Sequence, residues 1–397
     1  MESINKGKSP FYPGQPVPVQ FFAGRAAEIQ KITRAIKQVE LGKPQAIFLT
    51  GEYGIGKSSL AGLMRHSAET YNHILGIHVL LGGAETLEDV ATKTVEAVIR
   101  TQVYEPSTTG KIQNFLSKYI SGQELFGISL NLEALKTDSP TISHGFLPFL
   151  RELLNRVKDN GIKGIMLILD EINGITSNPK FAHFIKSLVD ENALSQEPLP
   201  LLLMLCGVED RRKEMIQKHQ PVERIFDIVE IKSMNENEMK DFFNTTFKSV
   251  GMQIEDAAMF SMCWYSAGFP KIMHVIGDAI FWIDKDNVVD TNDAVEGILL
   301  AAGEVGRKFI DQQVYNALKS KDYHSVLKKL GKAPDLSFKK GELEKDLSEN
   351  EKKKFNNFLQ RMKKLNVLKS GKERGEYIFQ SRLVRLYINL KSLERES

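Results

Sequence analysis

Short apolar runs alternate with stretches of helical spacing through the first 230 residues of the chain. The predicted strands fall at residues 46–49, 74–81, 164–169, 200–207 and 227–231. Between them apolar side chains recur every three or four residues, as Ile29, Ile32 and Ile36 do before Leu41. This alternation predicts an α/β fold with a parallel sheet, and such sheets bind ligands at the carboxyl ends of their strands.

The pattern changes after residue 232. Helical spacing without strand patterns is found at 236–250, 254–266, 270–283 and 291–302. We therefore predict a small helical lid domain at 233–304. Three further helices are predicted at 323–330, 340–347 and 348–365, followed by two strands around the basic turn of 367–379. Three helices and a β-hairpin predict a winged-helix domain at 305–397.

The beginning of the chain differs from both regions. Residues 1–20 are rich in proline and glycine, which predicts an extended N-terminal arm without a core. Residues 21–232 form the predicted nucleotide-binding core. Within it, the irregular stretch near 107–143 is predicted to be an insertion, with a helix around 111–120 and a hairpin strand at 126–132.

The turn after the first strand has the spacing of a phosphate-binding loop. Gly51-x-x-x-x-Gly56-Lys57-Ser58 fits G-x-x-x-x-G-K-[ST] and precedes a helix that ends near Thr70. Glycines allow backbone N–H groups to converge on a triphosphate, and the amino end of the helix adds positive potential. We expect Lys57 to reach the β- and γ-phosphates and Ser58 to bind Mg²⁺. The residues predicted to contact nucleotide here are Gly51, Glu52, Tyr53, Gly54, Ile55, Gly56, Lys57, Ser58 and Ser59.

A second candidate element ends the strand at 164–169. Asp170 and Glu171 follow this apolar run directly, at the edge where the phosphate loop is expected. An aspartate in this position holds Mg²⁺, and a neighbouring glutamate orients or deprotonates the attacking water. The sequence therefore predicts Asp170 as a metal-binding residue and Glu171 as a catalytic one. The eight histidines show no ligand spacing, and each is expected to be structural.

Composition limits the class of protein. A chain of 397 residues with 42% hydrophobic and 26% charged residues predicts two or three globular domains. Its two cysteines, Cys206 and Cys263, provide no disulfide framework or metal spacing. The apolar runs are too short to cross a membrane, and the N-terminus lacks a signal-peptide pattern, so we expect a cytoplasmic location and no membrane partner.

The net charge of +3 is unevenly distributed. Residues 321–397 hold 20 Lys and Arg against 11 Asp and Glu, a net charge of +9, so the rest of the chain is mildly acidic. A basic C-terminal domain favours contact with DNA or another polyanion, although lysine-rich helices also occur simply as solvated faces. The basic candidates for DNA contact are Lys353, Lys354, Arg361, Lys364, Lys372 and Arg374.

Taken in this order, the motifs resemble those of the AAA+ and STAND branch of P-loop ATPases, in particular archaeal-type ATPases and origin-recognition initiators. The resemblance covers roughly residues 20–390 and includes Walker A at 51–58 and Walker B at 170–171. It also includes an F-x-G-R-x-x-E motif, which in this family lies near the adenine and implies nucleotide contacts for Phe22, Gly24 and Arg25. ATP is favoured over GTP, because the guanine-selective [NT]-K-x-D is absent.

Two further positions follow from the resemblance. Arg224 stands just before the last strand, where these ATPases often have an arginine finger, so it is a predicted catalytic residue alongside Lys57 and Glu171. Gly268-Phe-Pro-Lys271 resembles the sensor-2 motif G-x-P-R and implies a nucleotide contact for Lys271. Lysine keeps the positive charge but lacks the forked geometry with which arginine grips a phosphate.

We expect an ATP-binding, Mg²⁺-dependent ATPase that acts as a nucleotide-controlled switch and forms nucleotide-dependent homo-oligomers. Two outputs remain open. One is a DNA-associated role, as initiator, loader or regulator of a mobile element, through the basic winged helix. The other is a STAND-like signalling or defence role, in which the winged helix docks a protein effector.

Overall fold

The computed structural model describes residues 6–19, 22–101, 139–316, 318, 320–332 and 336–394. The chain divides into two units, which are described separately here. One unit consists of residues 16–232, and the other joins residues 1–15 to residues 233–397. None of the helices in the described ranges is both long and apolar enough to cross a membrane.

The core unit, residues 16–232, alternates helices and strands. Its elements are α1 (Ala26–Glu40), β1 (Gln45–Gly51), α2 (Lys57–Asn72), β2 (Ile74–Leu80), α3 (Leu87–Arg100), α4 (Ser139–Val157), β3 (Gly164–Asp170), α5 (Pro179–Leu194), β4 (Leu201–Gly207), α6 (Glu209–Lys218) and β5 (Asp227–Ile231). Short 3₁₀ turns at Ile175–Ser177 and Gln220–Arg224 precede α5 and β5. The α/β class predicted from the alternating pattern is confirmed.

The five strands form one sheet in the order β2-β3-β4-β1-β5, and all neighbouring strands are parallel. Every residue of β3 and β4 is buried. Since alternate side chains of a strand face opposite sides, both faces of the sheet are covered. Leu203 and Leu205 join the cluster formed with α3, α4 and α5, whereas Leu202 and Met204 lie buried on the other face. This explains why the sequence shows continuous apolar runs here.

Most of the predicted insertion near 107–143 lies outside the described residues, including its helix at 111–120 and its strand at 126–132. The part that is described begins at Ser139, where α4 starts. α4 therefore overlaps the last residues of the predicted insertion.

The second unit begins its continuous part with four helices. These are α7 (Glu236–Lys248), α8 (Asp256–Ser266), α9 (Pro270–Ile283) and α10 (Thr291–Val305), and the last is followed by a π-helical stretch at Gly306–Tyr315. The expectation of helices alone was wrong in one detail. Two short strands, β6 (Gln253–Ile254) and β7 (Val288–Val289), pair in parallel between the helices.

The N-terminal segment, residues 6–15, belongs to this helical unit. Phe11 is 4% exposed, and its ring centroid lies 4.8 Å from that of Phe247. A Cβ added to Gly277 would lie 2.2 Å from the Phe11 ring, so the absence of a side chain there makes room for Phe11. The prediction of an arm without a core was therefore wrong for these residues, because Phe11 is part of a core formed with α7 and α9.

The C-terminal elements are α11 (Lys321–Gly331), β8 (Ser337–Lys339), α12 (Lys340–Leu343), α13 (Glu349–Lys364), β9 (Leu368–Ser370), β10 (Glu376–Phe379) and α14 (Arg382–Glu394). The strands pair antiparallel in the order β8-β10-β9. Phe355, Phe358 and Leu359 of α13 are fully buried in their core. The sequence predicted α11, α13 and the hairpin. The helix predicted at 340–347 is the short α12 followed by a 3₁₀ turn at Glu344–Asp346, and β8 and α14 were not predicted.

Candidate nucleotide site

The predicted phosphate loop connects β1 to α2, at the carboxyl edge of the sheet. Gly54 and Gly56 have φ values of 75° and 99°, a region that favours glycine. A Cβ added to Gly51 would lie 2.7 Å from the backbone oxygen of Ile231. Ile55 is 2% exposed and fixes the loop to the core, while Glu52, Tyr53 and Gly54 are exposed. The glycines of the motif are therefore required by the loop itself.

Lys57 is the first residue of α2, and its side chain turns back over the loop. Its Nζ donates hydrogen bonds of 2.9 Å to the backbone oxygens of Gly51 and Glu52. Burial lowers the pKa of the Lys57 ammonium, against the opposing effect of the Asp170 carboxylate. The ammonium thus lies within the curve of the loop.

Asp170 ends β3 and is 1% exposed. Its Oδ1 accepts from the Glu171 backbone N–H at 2.8 Å, and its Oδ2 lies 3.1 Å from His78 Nε2. The Ser58 hydroxyl is near enough to this carboxylate to lower its pKa. Burial raises the pKa of the Asp170 carboxyl, but hydrogen bonds from His78 and Ser58 outweigh it and leave the pKa below its usual value. The site therefore places an ionised carboxylate against the hydroxyl of Ser58.

Glu171 directly follows this aspartate and is exposed. Its φ of 58° is in the left-handed region, which turns its side chain away from the strand direction. A Cβ added to Gly82 would lie 2.6 Å from Glu171 Oε2, so the carboxylate lies beside the turn that follows β2. An exposed carboxylate at this edge is able to accept a proton from water.

Arg25 of the F-x-G-R-x-x-E motif is 3% exposed. Its guanidinium donates to the backbone oxygen of Ile55 at 3.3 Å and to that of Lys232, and it lies 3.9 Å from Glu28 Oε1. The arginine therefore ties the phosphate loop to the end of the core unit. Phe22 is half-buried and Gly24 has a φ of 73°. The adenine contacts expected of Phe22, Gly24 and Arg25 stay predictions.

Arg224 lies near the amino ends of the parallel strands, whereas the phosphate loop lies at their carboxyl ends. It is exposed and precedes β5, whose Asp227 pairs with Ile47 near the beginning of β1. The phosphate loop follows Gly51 at the other end of β1, about 13 Å further along the strand. Arg224 is therefore separated from the phosphate loop of its own chain, and its predicted contact with a phosphate requires a second copy.

Lys271 belongs to the second unit, where it is exposed in the first turn of α9. The preceding Gly268 has a φ of 76°, and a Cβ there would lie 2.3 Å from the Met234 backbone oxygen. The glycine of the G-x-P-K motif is therefore required by the local fold. The nucleotide contact of Lys271 stays a prediction.

The sequence analysis missed one residue at this site. His78 was placed among the structural histidines, yet it is within hydrogen-bonding distance of Asp170. Ser59 was predicted to contact nucleotide, and its hydroxyl accepts a hydrogen bond of 3.1 Å from the Val17 backbone N–H; its nucleotide contact stays a prediction. Only the strand order, which places β2 beside β3, would have identified His78.

Comparisons with known proteins agree with this geometry. Residues 22–205 match the AAA ATPase domain family. The chain is similar to a Walker-type ATPase of Pyrococcus abyssi, with 17% identity, a TM-score of 0.56, and coverage of 92% of this chain and 96% of that one.

Two ORC proteins of Aeropyrum pernix have similar structures. The ORC2 protein in its ADPNP–ADP complexes is 12% identical, with a TM-score of 0.58 and coverage of 98% of this chain and 97% of that one. The ORC1 protein in complex with DNA is 15% identical, with a TM-score of 0.50 and coverage of 94% and 93%. At these identities the likeness establishes the fold. No curated protein matches the chain.

Proposed function

We propose that the chain is an AAA+ P-loop ATPase that binds and hydrolyses ATP as a nucleotide-controlled switch, a proposal supported by its match to the AAA ATPase domain family over residues 22–205 and by its fold. The observation that carries this proposal is the grouping of Lys57, Ser58 and Asp170 at the carboxyl edge of the sheet. Two segments far apart in sequence meet here: the start of α2 supplies a cation and a hydroxyl, and the end of β3 supplies an ionised carboxylate, beside a loop whose shape requires glycine. This donor set is the one that a magnesium nucleotide requires.

Each residue has a separate role in the proposed reaction. Lys57 exchanges its bonds to the Gly51 and Glu52 oxygens for bonds to the β- and γ-phosphates. Ser58 and Asp170 would hold Mg²⁺. Bound there, the ion would neutralise charge on the phosphates. Glu171 orients the attacking water and accepts its proton.

Nucleotide binding and turnover test the two halves of the proposal. We expect Lys57→Ala to lose binding of a fluorescent ATP analogue, whereas Glu171→Gln keeps binding and loses turnover by 10²-fold or more, roughly the contribution of a positioned base. Glu88→Gln, an exposed glutamate on α3, is the matched control and retains both. Equal turnover by wild type and Glu171→Gln would remove the hydrolytic role.

We also propose that the C-terminal elements are a winged helix that binds duplex DNA. Lys353 and Lys364 are exposed on α13, eleven residues or three turns apart, and so share one face. Lys372 and Arg374 are exposed in the turn between β9 and β10. Lys354 is less available, because it is paired with Asp322. An exposed basic helix beside a basic hairpin is the arrangement with which such modules contact the phosphate backbone.

Binding of the full chain to a duplex of mixed sequence, measured from 50 to 300 mM salt, tests this role. Binding by a Lys353→Ala/Lys364→Ala variant should depend less steeply on salt. The magnitude of the slope of log K against log salt should fall by roughly two, since each phosphate contact contributes about 0.9. Lys37→Ala/Lys43→Ala removes two exposed lysines from the core unit and should leave the slope unchanged. If the wild type does not bind DNA at low salt, the DNA-binding role is refuted, and the alternative is that the winged helix docks a protein effector.

A further inference from the structure

His78 contacts the proposed metal ligand from the neighbouring strand. Its Nε2 lies 3.1 Å from Asp170 Oδ2, and the side chains are 15% and 2% exposed. Because an ionised carboxylate only accepts hydrogen bonds, His78 Nε2–H is the donor. This contact lies almost entirely out of water, where a hydrogen bond restricts the geometry of its partners more strongly than it does at the surface.

The register of the sheet determines this contact. Leu80 of β2 is aligned with Asp170 of β3, and His78 is aligned with Ile168. His78 and Asp170 therefore lie on the same face at diagonal positions, and a long side chain spans that separation. His78 and Asp170 both belong to strands of the sheet, so the buried core fixes the separation between them.

The two oxygens of Asp170 are held by different groups. Oδ1 accepts from the Glu171 backbone N–H, which fixes one side of the carboxylate. Oδ2 is held by His78, and the Ser58 hydroxyl is near enough to the same carboxylate to lower its pKa. Without the histidine, rotation about the Cβ–Cγ bond would move Oδ2 relative to the serine. A carboxylate has about four acceptor positions, so enough remain for a metal or its water ligands.

We propose that His78 is a positioning residue that orients the Asp170 carboxylate toward Ser58 for divalent-metal binding. The inference rests on the proposed ATP–metal site and adds a residue that acts through the ligand without touching nucleotide. Partners that orient metal ligands typically contribute 10- to 100-fold to metal affinity. His78 therefore determines how tightly the protein–nucleotide complex holds its metal, with little effect on metal-free nucleotide binding.

The test measures Mn²⁺ binding directly by electron paramagnetic resonance, in the presence of a non-hydrolysable ATP analogue. We compare wild type with His78→Leu, which removes the donor, and His78→Gln, whose Nε2 replaces it. We expect Mn²⁺ affinity to fall 10- to 100-fold in His78→Leu and to stay within about threefold of wild type in His78→Gln. Analogue affinity in EDTA should be unchanged in both, and His66→Leu, an exposed histidine on α2, is the control.

The outcomes are distinct. Wild-type Mn²⁺ affinity in His78→Leu, or a loss in His78→Gln equal to that in His78→Leu, would overturn the positioning role. If wild type itself binds neither the analogue nor Mn²⁺, the proposed function fails and the inference fails with it. If His78→Leu does not fold, His78→Gln is compared with His78→Asn, whose shorter side chain places its amide short of Asp170. Equal affinities in those two variants would then refute the proposal.

Discussion

Glu69 provides a quantitative test of the packing behind the phosphate loop. It lies on α2, is 6% exposed, and faces Gly76 of β2, where an added Cβ would lie 2.4 Å from its Oε1. The nearest cation is Arg65, whose Nε is 3.7 Å from Oε1, and within the described part of the chain neither atom has a hydrogen-bond partner. Burial raises the pKa of Glu69 to about 7, and Arg65 offsets this only in part.

The sign of the effect follows from this shift. Between the unfolded pKa of 4.5 and the folded value of about 7, the unfolded chain releases the proton while the folded chain keeps it. The contribution of this group to stability is therefore present below pH 4.5 and is lost as the pH rises to 7. With about 1.4 kcal/mol for each pKa unit, the loss between pH 5 and pH 8 is roughly 2 to 3 kcal/mol.

Glu69→Gln removes this titration. Its free energy of unfolding relative to wild type should therefore rise by roughly 2 to 3 kcal/mol from pH 5 to pH 8, or by several degrees in Tm for a unit of this size. Calorimetry of the core transition at four pH values measures the difference, with the exposed Glu88→Gln as control. A difference between Glu69→Gln and wild type that stays flat over this range, or falls, would refute the reasoning.

Three further predictions concern the rest of the chain. Phe11→Ala should destabilise the second unit by about 3 to 5 kcal/mol. Phe260 is 66% exposed in the same unit, so Phe260→Ala should change the free energy of unfolding by under about 1 kcal/mol. Equal effects in denaturant titrations would contradict the buried position of Phe11. Gly268→Ala should cost more than Gly251→Ala, because both have φ near 77° but only Gly268 meets a backbone oxygen at 2.3 Å; calorimetry compares the two. Arg224→Ala should leave ATP-analogue binding unchanged and lower turnover only at protein concentrations where light scattering detects oligomers; an equal loss in the dilute monomer would exclude action in trans.

The sheet was predictable because its central strands, β3 and β4, are buried on both faces. A strand such as β4 has no solvent-facing positions, so its sequence is a plain apolar run that can be recognised without knowledge of its neighbours. The phosphate loop was predictable for a related reason. Its glycines are needed by the local backbone, so Gly51, Gly54 and Gly56 show their role in the sequence itself.

Other features depend on contacts between distant segments. The role of Phe11 was missed because its partners, Phe242 and Phe247, lie more than 230 residues away. The contact of His78 with Asp170 follows from β2 pairing with β3, and no local pattern encodes that order. The position of Arg224 at the far edge of the sheet likewise becomes visible only once the register of β1 and β5 is known.

The placement of the N-terminal segment means that the core unit, residues 16–232, is inserted in sequence between two parts of the second unit. The chain leaves the second unit after Gln15 and returns to it at Ser233. On that unit, the Tyr12 backbone N–H donates to His274, and the Met234 backbone N–H donates to Gly268. Gly268 and His274 are six residues apart around the start of α9, so the two cut ends lie close together. A short linker from Gln15 to Ser233 would therefore yield this second unit as a continuous polypeptide. A fragment that simply begins at residue 233 lacks Phe11 and leaves the cavity of that side chain empty.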